Sequence, residues 1–157
     1  MKKRNTAGQP FLRFLFLIYC AVMLWLLFDR SSGWMDGLSY EQMLRQNINL
    51  IPFLTIQNYL HVVLYHSDKA LRVHCIINLL GNVLLFIPAG WLLPRLWKKQ
   101  RAFLRFFLTC ALSIILIEVL QLLTLLGSLD VDDLILNLFG MTLGFLSYKL
   151  FTGRKKK

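Results

Sequence analysis

Four apolar runs, Phe11 to Phe28, Val73 to Trp97, Phe103 to Leu126 and Val131 to Phe151, leave little of this chain for anything soluble. Each approaches the roughly 20 residues that an α-helix needs to cross about 30 Å of hydrocarbon. A bilayer offers no water to unpaired backbone groups, so a spanning segment must be a helix or part of a closed barrel. The runs predict an all-α, polytopic membrane protein with four transmembrane helices, at about 11–28, 73–97, 103–126 and 131–151, forming one domain over 1–157. A composition of 57% hydrophobic residues and 17% charged residues agrees, since soluble domains are nearer half apolar and a quarter charged.

Charge placement gives the orientation. Lys2, Lys3, Arg4 and Arg13 precede or open the first span, and Arg95, Lys98, Lys99, Arg101 and Arg105 join the second to the third. Lys149, Arg154, Lys155, Lys156 and Lys157 close the chain, and none of these three groups contains an acid. That asymmetry follows the positive-inside pattern and predicts a multi-pass membrane protein with both termini and the middle loop cytoplasmic. The net charge of +10 is thereby read as topology and contact with anionic lipid, and no nucleic-acid partner is expected. The first run exceeds the about 7 to 15 residues of a signal-peptide core, and no small-x-small site follows it, so a retained anchor is expected. Cys20, Cys75 and Cys110 all fall within spans and read as buried thiols rather than a disulfide framework.

Between the first two spans lies a long outward segment, within which Ile56, Tyr59, Leu60, Val63 and Leu64 recur with helical spacing. The pattern is too short to span, so it predicts an interfacial or re-entrant helix, with Pro52 at its start and 49–53 as an extended entry. Pro88 and Pro94 predict a kink in the second span. Gly140 and Gly144 form a small-residue ridge on the fourth, suited to close approach of another helix, including one from a partner.

The spans contain polar residues at a common depth. Asn82, Glu118 and Asn137 lie roughly 13, 12 and 9 Å below the outer ends of their helices. Asn78 with Asn82 and Asp133 with Asn137 are i, i+4 pairs and Glu118 with Gln121 is an i, i+3 pair, so each couple shares a helix face. Three inward-turned stripes would enclose one wet pocket open to the outer leaflet. For the amides, plain interhelical hydrogen bonding is an equally good account. A buried carboxyl group either stays neutral or needs a cationic partner, and the outer half offers only Arg30, Arg45, Lys69 and Arg72, which singles out Glu118. Asp130, Asp132 and Asp133 open the fourth span; one of them fits a helix cap, and three exceed what a cap requires. His61, His66 and His74 match no zinc spacing, no nucleophile elbow or phosphate loop is present, and neither a metal nor a cofactor is expected.

Several strings together resemble the VanZ-like family of small bacterial membrane proteins. They are Asn49-Leu-Ile-Pro-Phe53, the stretch Asn78-Leu-Leu-Gly-Asn82 through Pro88-Ala-Gly90, Ser113 with Glu118 and Gln121, and Asp130-Val-Asp-Asp133 through Asn137 and Gly140 to Gly144. The resemblance implies association with lowered susceptibility to teicoplanin-type glycopeptide antibiotics, and a polar core at Asn82, Glu118, Gln121, Asp133 and Asn137. With Asn49, Asn78 and Asp130 added, these are the candidate ligand-binding residues. The expected ligand is an amphiphile with a polar head and an acyl tail, either a lipoglycopeptide or a lipid-linked wall precursor, alongside membrane lipids as general partners. The rival is a membrane enzyme acting on a lipid or lipid-linked precursor, with Glu118 and the Asp130–Asp133 turn as acid and base or as metal ligands. No catalytic motif supports it.

Overall fold

The computed structural model describes residues 8–28 and 37–153. Lys2 to Arg4, the stretch 29–36 and the basic tail 154–157 lie outside the described residues. Helices α1 (Gly8–Phe28), α4 (Lys69–Leu96), α5 (Phe103–Thr124) and α6 (Val131–Gly153) are long and apolar enough to cross a membrane. They coincide closely with the four apolar runs. Helix α2 (Tyr40–Gln46), strand β1 (Ile48–Asn49) and helix α3 (Leu54–Tyr65) lie between α1 and α4, and strand β2 (Leu129–Asp130) leads directly into α6.

Local chemistry sets these boundaries. Ser39 caps α2 in a reciprocal capping box with Gln42. Asp68 caps α4, its carboxylate accepting the Ala70 N–H at 2.8 Å. Helix α5 stops at Thr124 because Leu125 turns left-handed (φ 54°) and the Leu126 N–H closes on the Gln121 carbonyl at 3.0 Å. Pro88 and Pro94 are both accommodated within the continuous α4.

Helices α4 and α6 form the most extensive contact in the molecule, and glycine makes it possible. A Cβ on Gly140 would lie 2.1 Å from the Val83 carbonyl oxygen, one on Gly144 2.1 Å from that of Ile87, and one on Gly90 2.0 Å from that of Met141. Backbone therefore meets backbone, and the ridge is filled by α4 of the same chain. Around this pair, Met23, Phe86, Phe106, Cys110, Ile114, Met141 and Phe145 make the buried core. Helix α1 joins it through Met23 and two hydrogen bonds, Tyr19 Oη to the Leu85 carbonyl (2.7 Å) and Gln121 Nε2 to the Leu27 carbonyl (2.8 Å).

At about 42 Å, α4 is longer than the hydrocarbon core is thick. Helix α3, joined to it by three residues, packs back along it. Before α3, β1 pairs in parallel with β2, Ile48 opposite Leu129 and Asn49 opposite Asp130. Two departures from the sequence reading follow. Pro52 sits in the turn ahead of α3 rather than in its first helical turn, and the extended entry is confined to 48–49. Helix α2 and the β1–β2 bridge had no sequence signal strong enough to predict them.

The backbone contact predicts an asymmetric response to alanine. Gly144→Ala should destabilise the protein by about 1–3 kcal/mol or more, because two packed helices must separate. Gly81→Ala, with nothing within 4 Å of the added carbon, should be neutral or stabilising by up to about 1 kcal/mol. Thermal unfolding in mild detergent checks both.

Candidate functional site

Phe53, the residue ahead of α3, is left-handed (φ 67°) and has no side chain able to cap a helix. The cap comes from elsewhere in the chain. Asp132, fully buried in the first turn of α6, accepts the Phe53 N–H at 2.5 Å on one carboxylate oxygen and the Ile56 N–H at 3.0 Å on the other. One carboxylate thus lies at the positive ends of two helices, α6 and α3, and their dipoles offset its charge without a cation.

Its neighbours complete a polar knot. Asp130 accepts from Asn49 Nδ2 (3.2 Å), from Thr55 Oγ1 (2.6 Å) and from the Asp132 N–H (2.8 Å). Asn49 also donates to Thr55 Oγ1 (2.9 Å) and accepts the Ile51 N–H (3.1 Å). Asp133 accepts from Asn82 Nδ2, tying α6 to α4. Glu118 accepts the Asp130 N–H at 3.4 Å, tying in α5. Every element at this end of the bundle except α1 and α2 is attached to 130–133. Helix α2 is held separately, by Tyr40 Oη on the Leu123 carbonyl at 2.8 Å.

The candidate residues therefore fall into groups. Asn49, Asn82, Glu118, Asp130 and Asp133 are joined in the knot. Asn78 bonds within its own helix, to the His74 carbonyl at 2.9 Å and the His74 ring at 3.1 Å. Gln121 holds α1. Asn137 is buried, and its Oδ1 has no hydrogen-bond partner. The single wet pocket walled by α4, α5 and α6 is replaced by this paired network, because buried polar groups are stabilised by bonding to one another. Thr55 was not among the candidates, and Asp132 was named only within the acidic turn. For Asp132 a signal was present: α3 has no capping residue of its own, so it needs an acceptor from outside.

Beside the knot is a half-open cavity of about 190 Å³ lined by Leu50, Ile115, Glu118, Leu129, Asp130, Val131 and Leu134. Its walls are apolar, and the buried Glu118 and Asp130 are its polar residues. Leu50, Ile51 and Phe53 are exposed on the adjoining turn, extending the apolar surface outward. A second cavity, of about 260 Å³, lies between α1 and the other three long helices and is lined chiefly by apolar side chains, among them Met23, Phe86 and Met141. The carboxylates of Asp130, Asp132 and Asp133 turn to different partners, and among the described residues no group of three or more His, Cys, Asp or Glu is placed to hold a metal ion.

Fold and site together define a four-span helical membrane protein in which Glu118, Asp130, Asp132 and Asp133 are gathered at one end and the basic turn 98–101 lies at the other. The chain belongs to the VanZ/LLP1 family, which it matches over residues 16–152. It is 28% identical over 145 residues to Protein VanZ of Enterococcus faecium, an alignment that covers 92% of this chain and 75% of that protein. No solved structure matches it.

The cap from α6 to α3 predicts graded losses. Asp132→Ala takes the acceptor from two part-buried N–H donors, at about 1 kcal/mol each, whereas Asp132→Asn keeps one acceptor and should cost about half as much. Unfolding midpoints of the two variants in detergent should rank in that order; equal values would show that the two bonds contribute nothing.

Proposed function

We propose that the protein resides in a bacterial plasma membrane with both termini cytoplasmic and the acidic knot facing outward. There it lowers susceptibility to teicoplanin-type glycopeptides by holding an amphiphile, either the lipoglycopeptide or a lipid-linked wall precursor. Orientation is supported by the basic residues, since Arg95 to Arg105 and Lys149 lie at the end of the bundle opposite the knot.

The observation that carries the binding reading is Glu118, only 5% exposed, at an apolar-walled cavity that is open on one side. Ligand sites commonly combine a mostly apolar lining with a few placed polar groups. An acyl tail suits Leu50, Ile115, Leu129 and Leu134, and a head bearing N–H or O–H donors suits Glu118 with Asp130. Asn82 and Asp133 contribute indirectly, by fixing the start of α6 that forms one wall. Sequestration at the membrane surface lowers the antibiotic's access to its target without any reaction.

Two variants test this. Glu118→Gln keeps the shape and replaces the carboxyl group with an amide, which should weaken ligand binding about tenfold or more. Ile115→Trp fills the cavity and leaves the knot intact. Both, present in the membrane at the parental level, should lose most of the protection measured as inhibitory concentration of teicoplanin. Undiminished protection by both would overturn the proposal. Mass spectrometry of lipids and wall precursors adds the second arm: a species that appears or vanishes only with the parent protein means chemistry rather than binding.

A further inference from the structure

The opposite end of the bundle carries its own charged feature, one that the antibiotic reading does not use. Helices α4 and α5 are joined by a tight 3₁₀ turn, Lys98–Arg101, and Arg105 follows in the first turns of α5. Neither Asp nor Glu occurs from Lys69 to Ile117 or after Asp133. Among the described residues, the ion pair present is Arg45 with Glu41, on the distant α2. Among the described residues, the basic side chains at this end therefore have no Asp or Glu beside them, and charge of one sign accumulates there.

Arg101 differs from its neighbours. It is partly buried, and its Nε donates to the Pro94 carbonyl at 3.1 Å, which fixes the guanidinium plane while leaving its two terminal nitrogens as donors. A planar fork held in advance suits the oxygens of a phosphate. The turn itself is braced by Gln100 Nε2 on Thr109 Oγ1 (3.2 Å); Thr109 in turn donates to the Arg105 carbonyl (2.8 Å), placing Arg105 beside the turn. Lys149 reaches the same region, its Nζ 5.4 Å from the Phe145 ring, which also meets Phe103 at the start of α5 edge-on. The first turn of α5 has no side-chain cap and no acid, which adds backbone N–H groups to the donor set.

We propose that this turn binds the phosphate of an anionic phospholipid, with Arg101 as anchor and Lys98, Lys99, Arg105 and Lys149 supplying charge around it. Lipid, rather than free phosphate, is the occupant because Trp97, Phe103 and Leu104, all exposed, flank the basic residues as a surface for acyl chains. Basic pockets between transmembrane helices bind anionic head groups in this way, at a bilayer face that a polybasic segment already favours.

The test uses the full chain, delipidated in non-ionic detergent and offered phosphatidylglycerol or phosphatidylcholine, with bound lipid counted by native mass spectrometry. The parent should retain phosphatidylglycerol preferentially. The triple variant Lys98→Gln, Arg101→Gln, Arg105→Gln should lose that preference by about fivefold per charge removed. The triple Lys155→Gln, Lys156→Gln, Lys157→Gln removes the same net charge from the tail and should cost clearly less of the preference than the turn triple does. Arg101→Lys, which keeps both charge and fold, should also weaken it, because the fork is lost. Equal losses in the two triples, or parental binding by Arg101→Lys, would reduce the site to diffuse electrostatics and overturn the proposal. So would displacement of the lipid by inorganic phosphate.

Discussion

The Asp132 carboxylate is the interaction on which the end of the bundle bearing the cavity depends. It satisfies two amides at the start of α3 while sitting in the first turn of α6, so two helix N-termini converge on one buried anion. A charge buried without compensation is costly, and here the compensation is backbone rather than an arginine or lysine. The consequence is geometric. The turn Leu50–Phe53 must stay beside the α5–α6 connection, where Leu50 forms part of the cavity wall next to Glu118.

A second constraint operates lower in the bundle and is independent of the first. Gly90, Gly140 and Gly144 let α4 and α6 approach until a Cβ would have no room, which leaves little freedom to slide one helix past the other. Dense apolar packing on α4 and α6 and a polar knot above it thus hold the same helices at two levels. Helix α1 is attached more lightly, by Met23 and two side-chain hydrogen bonds to backbone carbonyls, and a cavity of about 260 Å³ remains beside it.

Much of the fold was legible in the sequence because hydrocarbon permits few solutions: four apolar runs of spanning length became α1, α4, α5 and α6. The ends were harder to read, since Leu125 is an unusual left-handed cap and Asp68 begins α4 several residues before its apolar run. Helix α3 was visible from the spacing of Ile56, Tyr59 and Val63, yet its cap lies 79 residues from Phe53, at Asp132, and no local pattern reports a partner at that range. For the site, helix spacing correctly placed Asp133 and Asn82 on interior faces but gave no information on which polar groups would satisfy each other. Pairing between Asn82 and Asp133, and between Asn78 and His74, removed residues from the expected hollow. One of the three turn aspartates was expected to cap α6; Asp132 instead accepts from the Phe53 and Ile56 amides at the start of α3.

Residue-resolved amide hydrogen exchange on the parent protein in nanodiscs tests the central claim most directly. If the α6 carboxylate holds α3, the Phe53 and Ile56 amides, at an otherwise exposed turn, should exchange as slowly as the core amides of α6. Exchange at the rate of an open loop, with α6 still protected, would show that Asp132 does not hold the segment and that the cavity beside Glu118 lacks a fixed wall.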